Sequence, residues 1–124
     1  MYENPLVASV RSVNDTASII DIQGEVTANG EGALMQAYNQ ASSNGTEFIL
    51  LNFSEMEYMN SSGIGLLVTI LIRAQRQGQK LLAYGLKEHF RKIFELTRLN
   101  EAIKCYSSEE EALEAAESAV RPAS

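Results

Sequence analysis

The sequence has one cysteine and one histidine, and these shortages exclude several kinds of site. A single cysteine cannot form an intramolecular disulfide bond. Cys105 lies in a short apolar segment, where a thiol packs like a small hydrophobic side chain, so we expect it to be buried and inert. His89 has no cysteine or carboxylate at metal-ligand spacing, and we expect it at the surface or half-buried on a helix. The sequence therefore predicts neither a metal site nor a cofactor.

A hydrophobic run long enough to cross a bilayer is also missing. The longest apolar region, residues 64–72, is too short and includes Gly65 and Thr69. The N-terminus lacks the basic segment and the hydrophobic stretch of a signal peptide. The net charge of −6 is unfavourable for binding nucleic acid or an anionic membrane. We therefore expect a cytoplasmic protein that binds no nucleic acid and no membrane.

Sequence motifs of common enzymes are absent as well. The segment Gly63-Ile64-Gly65 lacks the third glycine of a dinucleotide fingerprint, and it follows a middle strand. The chain has no Gly-x-Ser-x-Gly elbow and no P-loop. Residues 109–117 carry five glutamates and no base, which is typical of a solvated helix face. We expect no catalytic residues and no enzymatic activity.

What the sequence does contain is a regular alternation of apolar segments, in a chain whose 124 residues suffice for one domain. The patterns predict strands at 6–13, 17–23, 48–51, 80–84 and 102–106, and helices at 30–42, 62–77, 87–99 and from Ser107 or Ser108 to about residue 120. Residues 121–124 are expected to be a frayed tail. The order β-β-α-β-α-β-α-β-α predicts an α/β fold: one small domain, a mixed and mainly parallel sheet, and about four helices. The first two strands are expected to form an antiparallel hairpin.

The most informative stretch is Met59-Asn60-Ser61-Ser62-Gly63-Ile64-Gly65-Leu66-Leu67, where an apolar strand gives way to an apolar helix. The first turn of a helix has backbone N–H groups without intrahelical partners and the positive end of the helix dipole. That end favours a serine cap, and it also favours a phosphate. A serine here is therefore a candidate helix cap and a candidate charge switch.

This run resembles the signature of the STAS domain family, the anti-sigma factor antagonists of bacteria. In that signature an apolar residue and Asp precede Ser-Ser/Thr-Gly-apolar-Gly and two apolar residues. Gly24-Glu25-Val26 resembles the end of the family's second strand, and residues 87–99 and 107–113 resemble its third helix and the start of its last helix. The resemblance covers nearly the whole chain in order. It implies a small sheet covered by four helices, with the family's phosphorylation site at Ser61.

Two positions depart from the family pattern. The chain has Asn60 and Thr27 where the family usually has Asp. Both positions lie near the phosphoserine in the family pattern, so their loss removes negative charge there. That loss either eases the addition of a phosphate or weakens recognition by a kinase, and the sequence leaves both open.

The second helix is apolar around most of its circumference. Ile64, Leu67, Val68 and Leu71 form one face spaced to pack on a sheet, and Leu66, Ile70 and Ile72 add apolar residues elsewhere. Either the helix is buried nearly all round or part of it is an exposed docking patch. In the family this helix and the preceding loop face the partner kinase. The resemblance therefore implies a partner-binding surface made by Thr27, Asn60, Ser61, Ser62, Gly63, Ile64, Leu66 and Ile70.

These features lead to one leading interpretation and two alternatives. The resemblance implies a non-catalytic anti-sigma factor antagonist that binds an anti-sigma factor serine kinase, is switched off by phosphorylation of Ser61, and is reset by a serine phosphatase. One alternative is a STAS scaffold or ligand-binding module without phosphorylation, which Asn60 and Thr27 favour. The other is a small nucleotide-binding or nucleotide-hydrolysing enzyme. The lack of a basic residue near Ser61 argues against it, since the closest in sequence is Arg73. Self-association through edge strands or the second helix stays open, so a homo-oligomer is a further expectation to test.

Overall fold

The chain folds as an α/β domain around one five-stranded sheet, as the alternation of segments predicts. The computed structural model describes residues 4–120, with Asn44 and Val120 described by their backbone alone. The predicted frayed tail, residues 121–124, lies outside the described residues. The strands are β1 Val7–Ser12, β2 Ala17–Val26, β3 Phe48–Met59, β4 Lys80–Tyr84 and β5 Lys104–Tyr106. The α-helices within residues 4–120 are α1 Glu31–Ala41, α2 Ser61–Arg76, α3 Glu88–Leu96, α4 Leu99–Ala102 and α5 Glu109–Val120.

The sheet is mixed and mainly parallel, with the strands in sequence order from β1 to β5. β1 pairs with β2 in an antiparallel hairpin, and every later pair is parallel. The hairpin turn is held by Asn14, whose Oδ1 accepts from the backbone N–H groups of Thr16 at 2.8 Å and Ala17 at 3.0 Å. An Asn side chain that bonds to the backbone two residues on is a common turn device. The predicted hairpin is confirmed.

The two faces of the sheet are covered unequally. Alternate residues of a strand point to opposite faces, so neighbours such as Ile19 and Ile20 enter different clusters. The larger cluster lies between the sheet and α1, α2 and α3, and the smaller one lies under α5. Because the central parallel strands are buried on both faces, they appear in the sequence as continuous apolar runs. This is why residues 48–51 and 80–84 were recognisable.

Two strands extend beyond their predicted ends. β3 was predicted to end at residue 51 and runs to Met59, and β2 was predicted to end at residue 23 and runs to Val26. Beyond Asn52, β3 pairs only with β2, and two exposed residues separate each of the buried Phe53, Met56 and Met59 from the next. The apolar pattern alone missed the partly exposed end of β3, and it missed Gly24-Glu25-Val26, which only the family resemblance placed at the end of the second strand. The extension carries β3 directly into α2.

The predicted helix 87–99 is divided into two helices. α3 ends at Leu96, and Arg98 adopts a left-handed conformation with φ of 62° before α4 begins. The Thr97 hydroxyl donates to the carbonyl oxygen of Ile93 at 2.8 Å, which closes the last turn of α3. The change of direction buries Leu99 against the core. α4 then occupies residue 102, so β5 begins at Lys104 and not at the predicted residue 102.

The start of α5 settles the choice between two candidate caps. The Ser108 Oγ accepts from the backbone N–H of Glu111 at 3.2 Å. Ser107 does not cap the helix, because its hydroxyl donates to the Glu111 carboxylate. The capping residue is therefore Ser108, and α5 starts at Glu109.

A row of polar side chains crosses the sheet on the α5 face. Asp21, Asn52 and Tyr84 are in register on three neighbouring strands. Arg11 donates to Asp21 at 2.6 and 2.9 Å and to Glu109 at 2.9 Å, and the Tyr84 hydroxyl donates to Glu109 at 2.8 Å. Glu109 was expected on a solvated face, and instead it ties the first turn of α5 to β1 and β4. Hydrogen bonds from Arg11 hold the pKa of Asp21 and the pKa of Glu109 below the ordinary values of these carboxyls.

Replacing Arg11 with Met is expected to lower the free energy of unfolding by about 1 kcal/mol near neutral pH. A carboxyl whose pKa is depressed by folding stabilises the protein above its unfolded pKa of about 4, and that stabilisation is lost as the pH falls through the folded value. The difference in stability between the wild type and Arg11→Met should therefore be larger at neutral pH than at about pH 3. Urea unfolding at both pH values measures this. Arg76→Met is the control, because Arg76 has no ion pair among residues 4–120. Equal stability of wild type and Arg11→Met at neutral pH would contradict the role of the row.

Candidate functional site

The site is built where β3 ends and α2 begins. Asn60 has an extended backbone, and its side-chain Oδ1 accepts from the backbone N–H of Gly63 at 3.0 Å. Its carbonyl oxygen accepts from the backbone N–H of Ile64, also at 3.0 Å. Asn60 is therefore the cap of α2, and the helix begins at Ser61, one residue before the predicted start. Of the two roles left open for a serine here, capping belongs to Asn60, because asparagine is an equally good cap and precedes both serines.

Ser61 and Ser62 are exposed, and neither side chain caps the helix. Within residues 4–120 neither hydroxyl has a hydrogen-bond partner. Ser61 is the first residue of the helix, where backbone N–H groups point out of the helix end. The first turn contains no acidic side chain. The Ser61 oxygen is thus open to solvent at the positive end of a 16-residue helix.

Gly63 fixes how α2 sits on the sheet. A Cβ at Gly63 would lie 2.1 Å from the carbonyl oxygen of Val26 and 2.9 Å from Cγ of Met59. The absence of a side chain lets the first turn of α2 lie directly on the ends of β2 and β3. The backbone N–H of Asn60 donates to the same Val26 oxygen at 3.3 Å. Thr27 follows Val26 and is half-buried, so the structure brings Thr27 to the base of the α2 turn.

This close contact decides which face of α2 is buried. The buried side chains are Leu66, Leu67, Ile70 and Ala74, which lie on the same side as Gly63. The predicted sheet-facing set was wrong at one position: Leu67 is fully buried, Ile64 and Leu71 are half-buried against the core, and Val68 is exposed. Apolar residues nearly encircle the helix, so their spacing does not specify its rotation. The contact at Gly63 specifies it.

Three residues assigned to the partner-binding surface are inside the protein. Leu66 is 8% exposed, Ile70 is 0% exposed, and Gly63 is buried against β2. They cannot contact a partner directly, and their assignment was wrong for the reason just given. Thr27, Asn60 and Ile64 are half-buried, and the two serines are exposed. The remaining members of the predicted surface therefore lie around the start of α2.

Opposite the core, α2 carries a line of residues that we call the outer stripe: Ser61, Gly65, Val68 and Ile72. They recur every three or four residues and so share one side of the helix. Val68 and Ile72 are 37% and 44% exposed, although polar residues are expected on the solvent side of a helix. The sequence pattern placed Val68 on the core side, whereas the structure places it on the exposed side. Ile72 was recognised only as apolar and off the core face.

Gly65 has no structural reason to be glycine. Apart from the adjacent backbone of α2 itself and the two neighbouring residues, no described atom lies within 4 Å of the position that its Cβ would take, and its backbone is helical. In a helix interior, glycine is less stable than alanine by about 1 kcal/mol. Gly63 contrasts with it, since Gly63 is required by the contact with Val26.

A family model for the STAS domain matches residues 8–112 of the chain. The chain belongs to the STAS domain family. The resemblance seen in the run 59–67 is thereby confirmed. In this STAS domain Asn60, at the position where the resemblance implies Asp, makes the capping hydrogen bond without a charge.

Solved structures share the fold across nearly the whole chain. The anti-sigma factor antagonist SpoIIAA in its unphosphorylated form is 18% identical, with a TM-score of 0.71 over 90% of this chain and 98% of that chain. An anti-sigma factor antagonist from Mycobacterium paratuberculosis is 20% identical, with a TM-score of 0.75 over 89% and 92%. A sulfate transporter family protein from Wolinella succinogenes is 16% identical, with a TM-score of 0.76 over 89% and 92%. At these identities the likeness shows the STAS fold alone.

Residues that could carry other chemistry lie away from this site. Cys105 is half-buried, and burial raises the pKa of its thiol above the ordinary value. His89 is exposed and lies edge-on to Phe90, with ring centroids 5.0 Å apart. In residues 4–120 no three His, Cys, Asp or Glu side chains are grouped as a metal site. Over the same residues, no helix combines the length and the hydropathy that a membrane span requires.

A cleft of about 570 Å³ lies at the other end of α2, between β4, β5 and the last turns of α5. Its walls include Leu71, Gln75, Lys80 and Lys104, and none of its lining residues belongs to the run 59–67. The start of α2 lies outside this cleft, and its two serines form part of the exposed surface. Such a surface suits a protein partner better than a small ligand, which needs a concave pocket.

The assignment of the cap makes a prediction about stability. Asn60→Ala is expected to lower the free energy of unfolding by about 1 kcal/mol, because the Gly63 N–H loses its partner. Asn60→Asp keeps that hydrogen bond and adds a charge that the helix dipole favours, so its stability should equal or slightly exceed that of the wild type. Chemical denaturation measures both variants. Ser61→Ala is the matched control and should change stability very little; a loss equal to that of Asn60→Ala would show that serine is the cap.

Proposed function

We propose that this STAS domain is a non-catalytic anti-sigma factor antagonist acting in the cytoplasm. Its outer stripe binds an anti-sigma factor serine kinase, and phosphorylation of Ser61 releases that kinase. A serine phosphatase restores the unmodified protein. The observation that carries the proposal is the exposed Ser61 hydroxyl, which has no hydrogen-bond partner among residues 4–120 and lies on the same side of α2 as the exposed Val68 and Ile72.

The geometry supports modification of the folded protein. A kinase needs access to the hydroxyl and does not need to break a hydrogen bond, because Asn60 performs the capping. The phosphate would lie at a helix N-terminus, where the dipole and the free backbone N–H groups favour an anion. Phosphorylation is therefore expected to leave the fold intact.

The effect on binding comes from desolvation. A phosphoserine carries roughly −1.5 to −2 charges. If a partner covers Val68 and Ile72, that charge must lose water at the edge of an apolar contact, which costs several kcal/mol without a counter-charge. A change of about 1.4 kcal/mol is a tenfold change in affinity, so a single phosphate suffices to separate the two proteins.

The replacement of the family Asp by Asn60 favours this switch electrostatically. The first turn of α2 has no acidic side chain, so a phosphate on Ser61 would meet no like charge within that turn. An aspartate at position 60 would repel it at close range. On this account Asn60 eases phosphorylation of Ser61.

The second candidate function is a STAS module without phosphorylation control. The structural likeness to a sulfate transporter family protein supports it, because the same fold occurs outside the antagonists. The two candidates differ in the state of Ser61 in the cell. Mass spectrometry of the protein purified from its native host separates them: a phosphate on Ser61 supports the antagonist, and its consistent absence supports the module.

Acidic substitution tests the charge switch. Ser61→Asp and Ser61→Glu are expected to weaken binding to the host anti-sigma factor serine kinase by at least about tenfold, while Ser61→Ala binds like the wild type. Calorimetric titration against each purified kinase of this class measures the affinities. Ser62→Asp is the matched comparison: Ser62 is also exposed but lies off the outer stripe, so this change should weaken binding less than Ser61→Asp. Unchanged affinity of Ser61→Asp would contradict the switch.

The modified residue can be identified directly. Incubation with ATP and the kinase that binds is expected to label Ser61, and Ser61→Ala should abolish labelling while Ser62→Ala retains it. Phosphopeptide mapping provides the assignment. Phosphate found only on Ser62 would overturn the choice of residue.

A further inference from the structure

Resting on the proposed function, we propose that Gly65 is the point at which the partner protein approaches α2 most closely. The partner contributes an apolar segment that covers the outer stripe, and it places a carboxylate beside Arg76. Gly65 then determines how near that segment can come, and hence how tightly it binds.

The choice of glycine at position 65 is unexplained by the fold. Glycine has a larger helix-propensity penalty than any residue except proline. Gly24, Gly45, Gly78 and Gly85 have positive φ, and Gly63 has no room for a side chain. Gly65 has neither reason, since its backbone is helical and the space around it is open. Gly32 is equally open, but only Gly65 lies on one side of its helix with the exposed apolar residues Val68 and Ile72, where a missing side chain leaves room for a partner.

The backbone carbonyl of Gly65 already has its hydrogen bonds within the protein, which favours contact with an apolar partner. The Thr69 hydroxyl donates to the Gly65 carbonyl oxygen at 3.0 Å, in addition to the hydrogen bond of the helix itself. Both lone pairs of this oxygen are therefore occupied from within the protein. A partner that covers Gly65 displaces little bound water from the backbone, so close contact there has a small desolvation cost.

The outer stripe identifies the chemistry of what covers it. Gly65 lies between Ser61 on one side and the exposed Val68 and Ile72 on the other, so the covering segment is apolar. Arg76 follows Ile72 by one helical turn and is exposed. Neither Arg76 nor Arg73 has an ion pair within residues 4–120. Both therefore remain available to a carboxylate of the partner, which fits a segment with an acidic residue at that end.

The decisive variant is Gly65→Ala. It should raise the melting temperature by about 2–4 °C, because alanine favours the helix, and it should weaken kinase binding by roughly tenfold or more, because the methyl group separates the two surfaces. Stability and affinity then change in opposite directions, which a merely structural role does not produce. Gly32→Ala is the matched control: Gly32 is an exposed glycine of α1 with open space around it, and its affinity should be unchanged.

Affinities are measured by calorimetric titration with the same purified anti-sigma factor serine kinases, and melting temperatures by circular dichroism. If the wild type binds, Ser61→Asp does not, and Gly65→Ala binds like the wild type, the inference about Gly65 is overturned and the proposed function stands. If no such kinase binds the wild type, both are overturned. Arg76→Glu tests the charge: a loss of roughly tenfold that diminishes at high salt supports an acidic partner segment, and unchanged affinity overturns it.

Discussion

The contact between Gly63 and the carbonyl oxygen of Val26 is the constraint on which the rest of the site depends. Because position 63 has no side chain, the first turn of α2 rests directly on the end of β2. This contact sets the rotation of α2 about its own axis. Ile70 consequently lies in the core, and Ser61, Gly65, Val68 and Ile72 face outward. One backbone approach thus determines which side of an almost uniformly apolar helix is available to another protein.

The different roles of Asn60 and Ser61 follow from this position of the first turn of α2 on the sheet. The Asn60 side chain accepts the hydrogen bond from the Gly63 N–H and caps the helix, so the hydroxyl of Ser61 is not needed for capping. The remaining contacts that hold the domain together lie elsewhere: a large core under α1, α2 and α3, and the polar row that ties α5 to β1. A charge added to Ser61 can therefore change what binds the surface without changing what holds the domain together.

The sequence predicted most of the fold because its signals are local. β4 was predicted at its observed ends, since a strand buried on both faces is a short apolar run with polar flanks. The motif at 59–67 was also local, and it located the site and Ser61. The rotation of α2 was not predictable, because it depends on Val26, which is distant in sequence. Glu109 escaped prediction for the same reason: its partner Arg11 is 98 positions away.

The central claim is that a phosphate on Ser61 acts through local charge on an intact STAS fold. Amide NMR spectra of the chain before and after phosphorylation test this most directly. The account predicts shift changes confined to residues 27–30 and the first two turns of α2, with the core amides around Ile70 unmoved. Changes that spread through the core would show that phosphorylation rearranges the domain, and would contradict the account.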